Sequence, residues 1–178
     1  MALAKIEEIM EDLRQGKVIV LIDDENRENE GDFVVATEHI NVELINFFTR
    51  IGGGYLCVAM TGDDCDRLEL GPQVADNTSV RGTPFTISVD GRPRHNISTG
   101  ISAADRVKTL ELLVDLNSRP DDFVRPGHIN PLRARDGGVL ARTGQTEGSV
   151  DLCKLAGLQP SAVIIEVVNF RNCIICSS

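Results

Sequence analysis

The chain has 178 residues, 42% of them hydrophobic, with a formal net charge of −9 and a pI near 4.8; that is enough apolar material for one core, and with no Pro/Gly/Ser-rich linker the expectation is a single domain over 1–178. The acidic balance and scattered arginines exclude a binder of the nucleic-acid backbone, the charged start MALAKIEEIMEDLRQG lacks the apolar centre of a secretory signal, and no run approaches the roughly 20 apolar residues that span a bilayer. Five cysteines, an odd number, suit free thiols in a reducing compartment, so the expected setting is cytoplasmic, with neither nucleic acid nor membrane as a partner.

In chain order, Ile6, Ile9, Met10 and Leu13 recur at helical spacing, and Gly16 is placed to stop that helix. KVIVLI and FVVA read as short buried strands. NVELINFFTRI reads as a helix ending at Gly52, Gly53 and Gly54, followed by strands in YLCVAM and FTISV. Ser102 is an N-cap for the helical pattern SAADRVKTLELLVDL. GGVLA is strand-like, TEGSVDLCKLAGL is a helix closed by Gly157, and SAVIIEVV is a last strand. Strands and helices mixed with long irregular connections predict a layered α/β or α+β domain.

The stretch VIVLIDDENRENEGDFVVA places Asp23, Asp24, Glu25, Glu28, Glu30 and Asp32 between two apolar runs, with Arg27 alone to offset them. Such a block suits a solvated loop. It also suits a site, because loop tips between buried strands often carry one. Asn26, Glu28, Glu30 and Gly31 suggest a calcium loop, but its twelfth position would be Thr37 instead of the required bidentate Glu. Magnesium is easier to satisfy, since it keeps several waters and takes one or two carboxylates with oxygens of a phosphorylated substrate.

RTGQT, Arg142 to Thr146, lies between a strand and a helix. Its residues could hold a phosphate through Arg142, the hydroxyls and the first N–H groups of the helix, or could do no more than cap the helix through Thr143 or Thr146. No phosphate-binding P-loop or dinucleotide glycine pattern is present. His128 stands in the punctuated turn RPGHINP, where a structural role competes with a catalytic one. Cys173 and Cys176, in CIIC, have redox spacing without the usual strand-to-helix setting.

DDENRENEGDFV, TGISAADR, RPGHINPLRARDGGVLARTGQTEGSVDL and LAGLQPSAVIIE, in this order from about residue 5 to 168, resemble the successive motifs of 3,4-dihydroxy-2-butanone-4-phosphate synthase, a riboflavin-pathway enzyme. The resemblance implies an α+β fold, a three-layer αβα sandwich on a mixed sheet. It implies a homodimer with active sites near the interface, and conversion of D-ribulose 5-phosphate to the four-carbon phosphate and formate with Mg2+ or Mn2+. It assigns Glu28 and Gln145 to the metal. Arg27, Glu28, Asp32, Thr99, Glu166 and the turn of Arg142, Thr143, Gly144, Gln145 and Thr146 are assigned to the sugar phosphate. His128, Glu166, Glu30, Asp32 and Cys57 are assigned to catalysis. Such chemistry needs a base beside a carbonyl, a cation for the developing charge, and acids that assist loss of water and carbon rearrangement.

Two departures stand out. Where the family writes Gly-His-Thr-Glu, this chain has GQTE, so the expected histidine ligand is Gln145. Past Glu166 the family continues with Asp-Gly-x-Met-Ala-Arg, a strand and a helix, whereas VVNFRNCIICSS follows here, so the C-terminal end is expected to be atypical and short after about 168. Two functions therefore stay open: a working lyase, and a catalytically impaired relative serving as a binding or structural subunit.

Overall fold

The computed structural model of the chain describes residues 3–169 and 174–175. Helix α1, Ile6–Arg14, turns Ile9, Met10 and Leu13 inward, and the chain reverses at Gly16, whose φ of 70° suits a residue without a Cβ. Strands β1, Ile19–Ile22, and β2, Gly31–Ala36, pair antiparallel, with the acid run as their connection. Helix α2, Val42–Phe47, is capped by Asn41, whose side chain accepts the Leu44 N–H at 2.9 Å, and runs on into a wider turn, Phe48–Gly52. Strand β3, Cys57–Met60, leads through Thr61, which caps helix α3, Gly62–Arg67, into a long excursion and then β4, Val89–Gly91. Helix α4, Ala103–Val114, has Ser102 as its cap, as the sequence predicts. Strand β5, Phe123–Arg133, helix α5, Gln145–Ala156, and β6, Ala162–Glu166, complete the domain, while β7, Val168–Asn169, and β8, Ile174–Ile175, pair apart from the main sheet.

The six-stranded sheet runs β1-β2-β6-β3-β5-β4; β3 and β5 are parallel and every other neighbour is antiparallel. Alternation along the strands sorts the core between two faces. Val34, Cys57, Ala59 and Ile164 pack with α1 and α5, whereas Val35, Val58, Val163 and Ile165 pack with α2 and α4. This is the expected three-layer α+β arrangement on a mixed sheet. Two positions beyond these runs, Asp32 and Glu166 inherit the α5 side of the sheet. No helix among the described residues is long and apolar enough to cross a membrane.

Several expectations are corrected. GGVLA is no strand: Gly138–Leu140 is a single tight 3-10 turn, entered through Gly137 at φ 91°. Of FTISV, Phe85 and Thr86 make only isolated bridges, and a regular strand begins at Val89. RPGHINP is no turn, because it lies within the eleven-residue β5, with the Arg125–Pro126 bond cis. Cys173 and Cys176 lie outside the described residues.

Candidate active site

The acid run folds around one carboxylate. Asp23 Oδ1 accepts the Glu30 N–H at 2.9 Å, while Oδ2 accepts the Glu28 N–H at 3.2 Å and Arg27 Nη1 at 2.5 Å. Burial by itself would raise the Asp23 pKa, but the Glu30 N–H and the Arg27 guanidinium outweigh it and hold Asp23 below the ordinary carboxylate range. The same Arg27 nitrogen donates to Glu28 Oε2 at 2.7 Å and to Gln145 Oε1 at 3.1 Å. A carboxylate from the loop and an amide oxygen from α5 are thus gathered around one atom. Arg81, from the excursion between α3 and β4, covers the loop by donating to the Arg27 carbonyl.

Under this loop, Asp32 and Glu166 face each other across the β2–β6 register, and Cys57 is the partner of Ile164 on the next strand. Burial, followed by the charges of Glu166, Glu30 and Glu28, pushes the Asp32 pKa up to about 8. Glu30 is raised by burial and then by Glu28 and Glu166. The Cys57 thiol is driven well above its usual value by burial and then by Glu166 and Asp32, so it stands here as a neutral group, not a thiolate. Glu166 is held by the Tyr55 N–H, which donates to Oε2 at 2.6 Å. That approach depends on Gly54, where a Cβ would fall 2.4 Å from Glu166 Oε2 and 2.7 Å from its carbonyl oxygen.

The start of α5 closes the opposite side. Its N-cap is Gly144, with no side chain to cap the helix, so neither Thr143 nor Thr146 is the cap. Thr143 is exposed, whereas Gln145 and Thr146 are buried in the first turn and line the cavity. A Cβ at Gly144 would fall 2.2 Å from Arg142 Nη1, so the missing side chain is what lets that guanidinium lie against the helix start. Arg142 Nη1 donates to Glu147 Oε2 at 2.7 Å, and its buried Nε has no partner among the described residues. Glu147, fully buried, also accepts the Arg135 N–H at 3.0 Å.

These elements enclose a cavity of about 170 Å3. It is smaller than the ~300–1,000 Å3 usual for drug-sized ligands, so its occupant is small. Of the residues singled out in the sequence, Asp32, Cys57 and Glu166 line it from the sheet, Arg27, Glu28 and Glu30 from the acidic loop, and Arg142, Gln145 and Thr146 from the start of α5. Thr99 and His128 do not. His128 sits on β5 with its Nδ1 2.6 Å from Asp90 Oδ2 and its side chain 41% exposed, and Thr99 is exposed in the loop before α4. A larger cleft of about 820 Å3 lies between α3 and the excursion, but its Arg133 is already paired with Asp66 at 2.5 and 2.8 Å. Size does not pick the site; convergent carboxylates with shifted pKa values do.

The family described as 3,4-dihydroxy-2-butanone 4-phosphate synthase matches residues 7–174. The chain belongs to this family. Among the relatives of this synthase domain, the riboflavin biosynthesis protein RibBA of Mycobacteroides abscessus is 54% identical over 170 residues, covering 96% of this chain and 40% of that protein. RibBA of Aquifex aeolicus is 50% identical over 163 residues, 92% of this chain and 40% of that protein. The chain therefore spans about two fifths of the length of these relatives. Among solved structures, a 3,4-dihydroxy-2-butanone 4-phosphate synthase in complex with two magnesium ions superposes with a TM-score of 0.90 at 40% identity, over 94% of this chain and 77% of that one. The Candida albicans synthase does so at 0.89 and 41% identity, over 99% and 86%.

Proposed function

We propose that this domain is a lyase of riboflavin biosynthesis, converting D-ribulose 5-phosphate to 3,4-dihydroxy-2-butanone 4-phosphate and formate with Mg2+. The observation that carries the reading is Asp32: a buried carboxyl beside Glu166 and Glu30, tuned to about 8, next to a pair of oxygen donors. A group with that pKa can hold or release a proton near neutral pH, as acid–base chemistry beside a carbonyl requires.

Glu28 and Gln145 are the residues that would hold the metal. Both oxygens accept from the same nitrogen, Arg27 Nη1, whose place a cation would take, and a carboxylate with an amide oxygen is a hard donor set that suits Mg2+ with waters completing its shell. When bound, the cation would supply positive charge where the carbonyl oxygen becomes negative. Arg142, with its unpartnered Nε, and the first-turn N–H groups of α5 suit the phosphate. Glu30 and Glu166 flank Asp32 as proton carriers, and Cys57 contributes a neutral wall.

The positions of Thr99 and His128 outside the cavity support a site completed by the same residues of a second copy, as expected of a homodimer whose sites lie near its interface. Mixing a His128→Ala chain with a Glu28→Gln chain tests this. Two inactive parents that regain activity as mixed dimers fit the reading, and no recovery in a proven heterodimer refutes it. The primary assay is formate release from ribulose 5-phosphate with Mg2+. No formate at any Mg2+ or Mn2+ concentration would favour the impaired-subunit reading, whose support is Gln145, an uncharged amide where the family has imidazole.

A further inference from the structure

Asp90 holds His128 in a way that resembles an acid–base relay more than a structural contact. Its Oδ1 accepts the His128 backbone N–H at 2.9 Å and its Oδ2 lies 2.6 Å from His128 Nδ1. An ionised carboxylate only accepts hydrogen bonds, so this contact puts the ring proton on Nδ1 and leaves Nε2, at the far side of the ring, as the basic nitrogen. The side chain of Asp90 is 7% exposed and that of His128 41%, so the orienting group is buried and the oriented one faces out.

The surroundings leave the carboxylate little freedom. A Cβ at Gly100 would fall 2.1 Å from Asp90 Oδ2, and Gly100 has φ +88°. The loop carrying Gly100 is itself tied down, because Asp105 at the start of α4 accepts the Gly100 N–H at 3.2 Å and the Ser98 hydroxyl at 2.6 Å. A Cβ at Gly127, beside His128, would meet the Val89 carbonyl carbon at 2.0 Å. In the β4–β5 register Val89 pairs with Ile129 and Asp90 with Val124, so residues 125–128 stand out of the ladder beside Asp90. From α4, Arg106 adds a positive charge that Asp90 senses: burial lowers its pKa, and Asp90 offsets part of that lowering.

We infer that Asp90 is a positioning residue for the proposed reaction: it fixes the Nδ1–H tautomer of His128 and aims Nε2 outward to exchange a proton with substrate. The inference rests on the catalytic reading of His128 given above. Loss of such a carboxylate partner is costly because it leaves the ring in the wrong tautomer or orientation.

The test uses the full chain in its native oligomer. Nitrogen-15 NMR of the unaltered protein, above the imidazole pKa, should show His128 protonated at Nδ1 and bare at Nε2; the opposite tautomer overturns the inference without any variant. Asp90→Asn should lower kcat for formate release at least tenfold with little change in KM, shift the pH profile, and raise the Nε2–H population. In a His128→Gln background the same substitution should cost less than twofold, since its target is gone. If His128→Gln is fully active, the catalytic reading of His128 fails. If His128→Gln is inactive but folded Asp90→Asn keeps its kcat, pH profile and tautomer, the positioning role alone fails. Equal losses for Asp90→Asn in both backgrounds would assign Asp90 to structure and overturn the inference.

Discussion

Replacing Glu147 by Ala tests whether Arg142 is held by a buried charge. Glu147 is fully buried, accepts Arg142 Nη1 at 2.7 Å and satisfies the Arg135 N–H at 3.0 Å. Removing one partner of a buried ion pair costs about 3–5 kcal/mol, mostly as the penalty of the charge left behind. The Arg142 side chain is 14% exposed and borders the cavity, so it can swing toward water, which argues for the low end. The bereft N–H adds about 1 kcal/mol. The sum, ~4 kcal/mol, corresponds to a fall in Tm of about 8–16 °C for a chain of this size. Glu147→Gln keeps one acceptor oxygen, enough for the Arg135 N–H, but turns an NH2 donor toward Arg142, so it too leaves the guanidinium unpaired and should cost about 3 kcal/mol. Thermal unfolding followed by circular dichroism measures both. Inorganic phosphate should recover more Tm in Glu147→Ala than in the parent, because it can pair with the released guanidinium. An Ala variant that melts within ~3 °C of the parent, or a Gln variant as stable as the parent, would refute the buried-charge argument.

Three further outcomes are expected. Gly54→Ala should lower stability by about 1–3 kcal/mol and formate release at least tenfold, since the Glu166 carbonyl, 2.7 Å from the new Cβ, cannot rotate away as its carboxylate can; a fully active variant would show that Glu166 has room to spare. Asp32, raised from 3.8 to about 8, lends stability that is complete below pH 3.8 and drains away as pH rises through 8, so the metal-free parent should lose about 2 kcal/mol between pH 6 and 8 relative to Asp32→Asn; parallel Tm curves for the two proteins would contradict the shift. Gln145→His should bind Mn2+ more tightly and release formate faster by about tenfold, ~1.4 kcal/mol, and unchanged Mn2+ affinity would remove position 145 from the metal.

Much of this arrangement was legible because it rests on local signals. The spacing of Ile9, Met10 and Leu13, the Ser102 cap, and the β-branched run at 163–165 each dictate their own element. The acid run was visible as charge between strands. What composition could not reveal is its organiser: Asp23 looks like any other member of the run until the loop closes on it. Tyr55, Glu147 and Asp90 were missed for a related reason, since each acts through contacts 111, 5 and 38 positions away in sequence. Of these, Glu147 alone left a signal, an acid in the first turn of a predicted helix just after Arg142. Strand β5 was hidden by Pro126 and Gly127, which read as a turn, and the pairing of 129–133 with β3 and β4 overrides that local preference.

The two guanidiniums at the cavity are both already paired, Arg27 with Asp23 and Glu28, and Arg142 through Nη1 with Glu147. Among the described residues, Glu30, Asp32 and Glu166 form no ion pair, although they converge on one small cavity. Like charges so placed can be relieved in two ways: by a proton, as at Asp32, whose pKa burial raises first and the neighbouring carboxylates raise further, or by a cation. On the proposed function, the same crowding would favour a divalent ion in the cavity and a proton on Asp32 near neutral pH. Substituting Gln for the imidazole at 145 leaves this crowding intact, because the carboxylates that create it all lie on the acidic loop, β2 and β6. If the proposed roles hold, catalytic potential and metal preference reside in different residues, and a change at 145 is expected to shift the second without erasing the first.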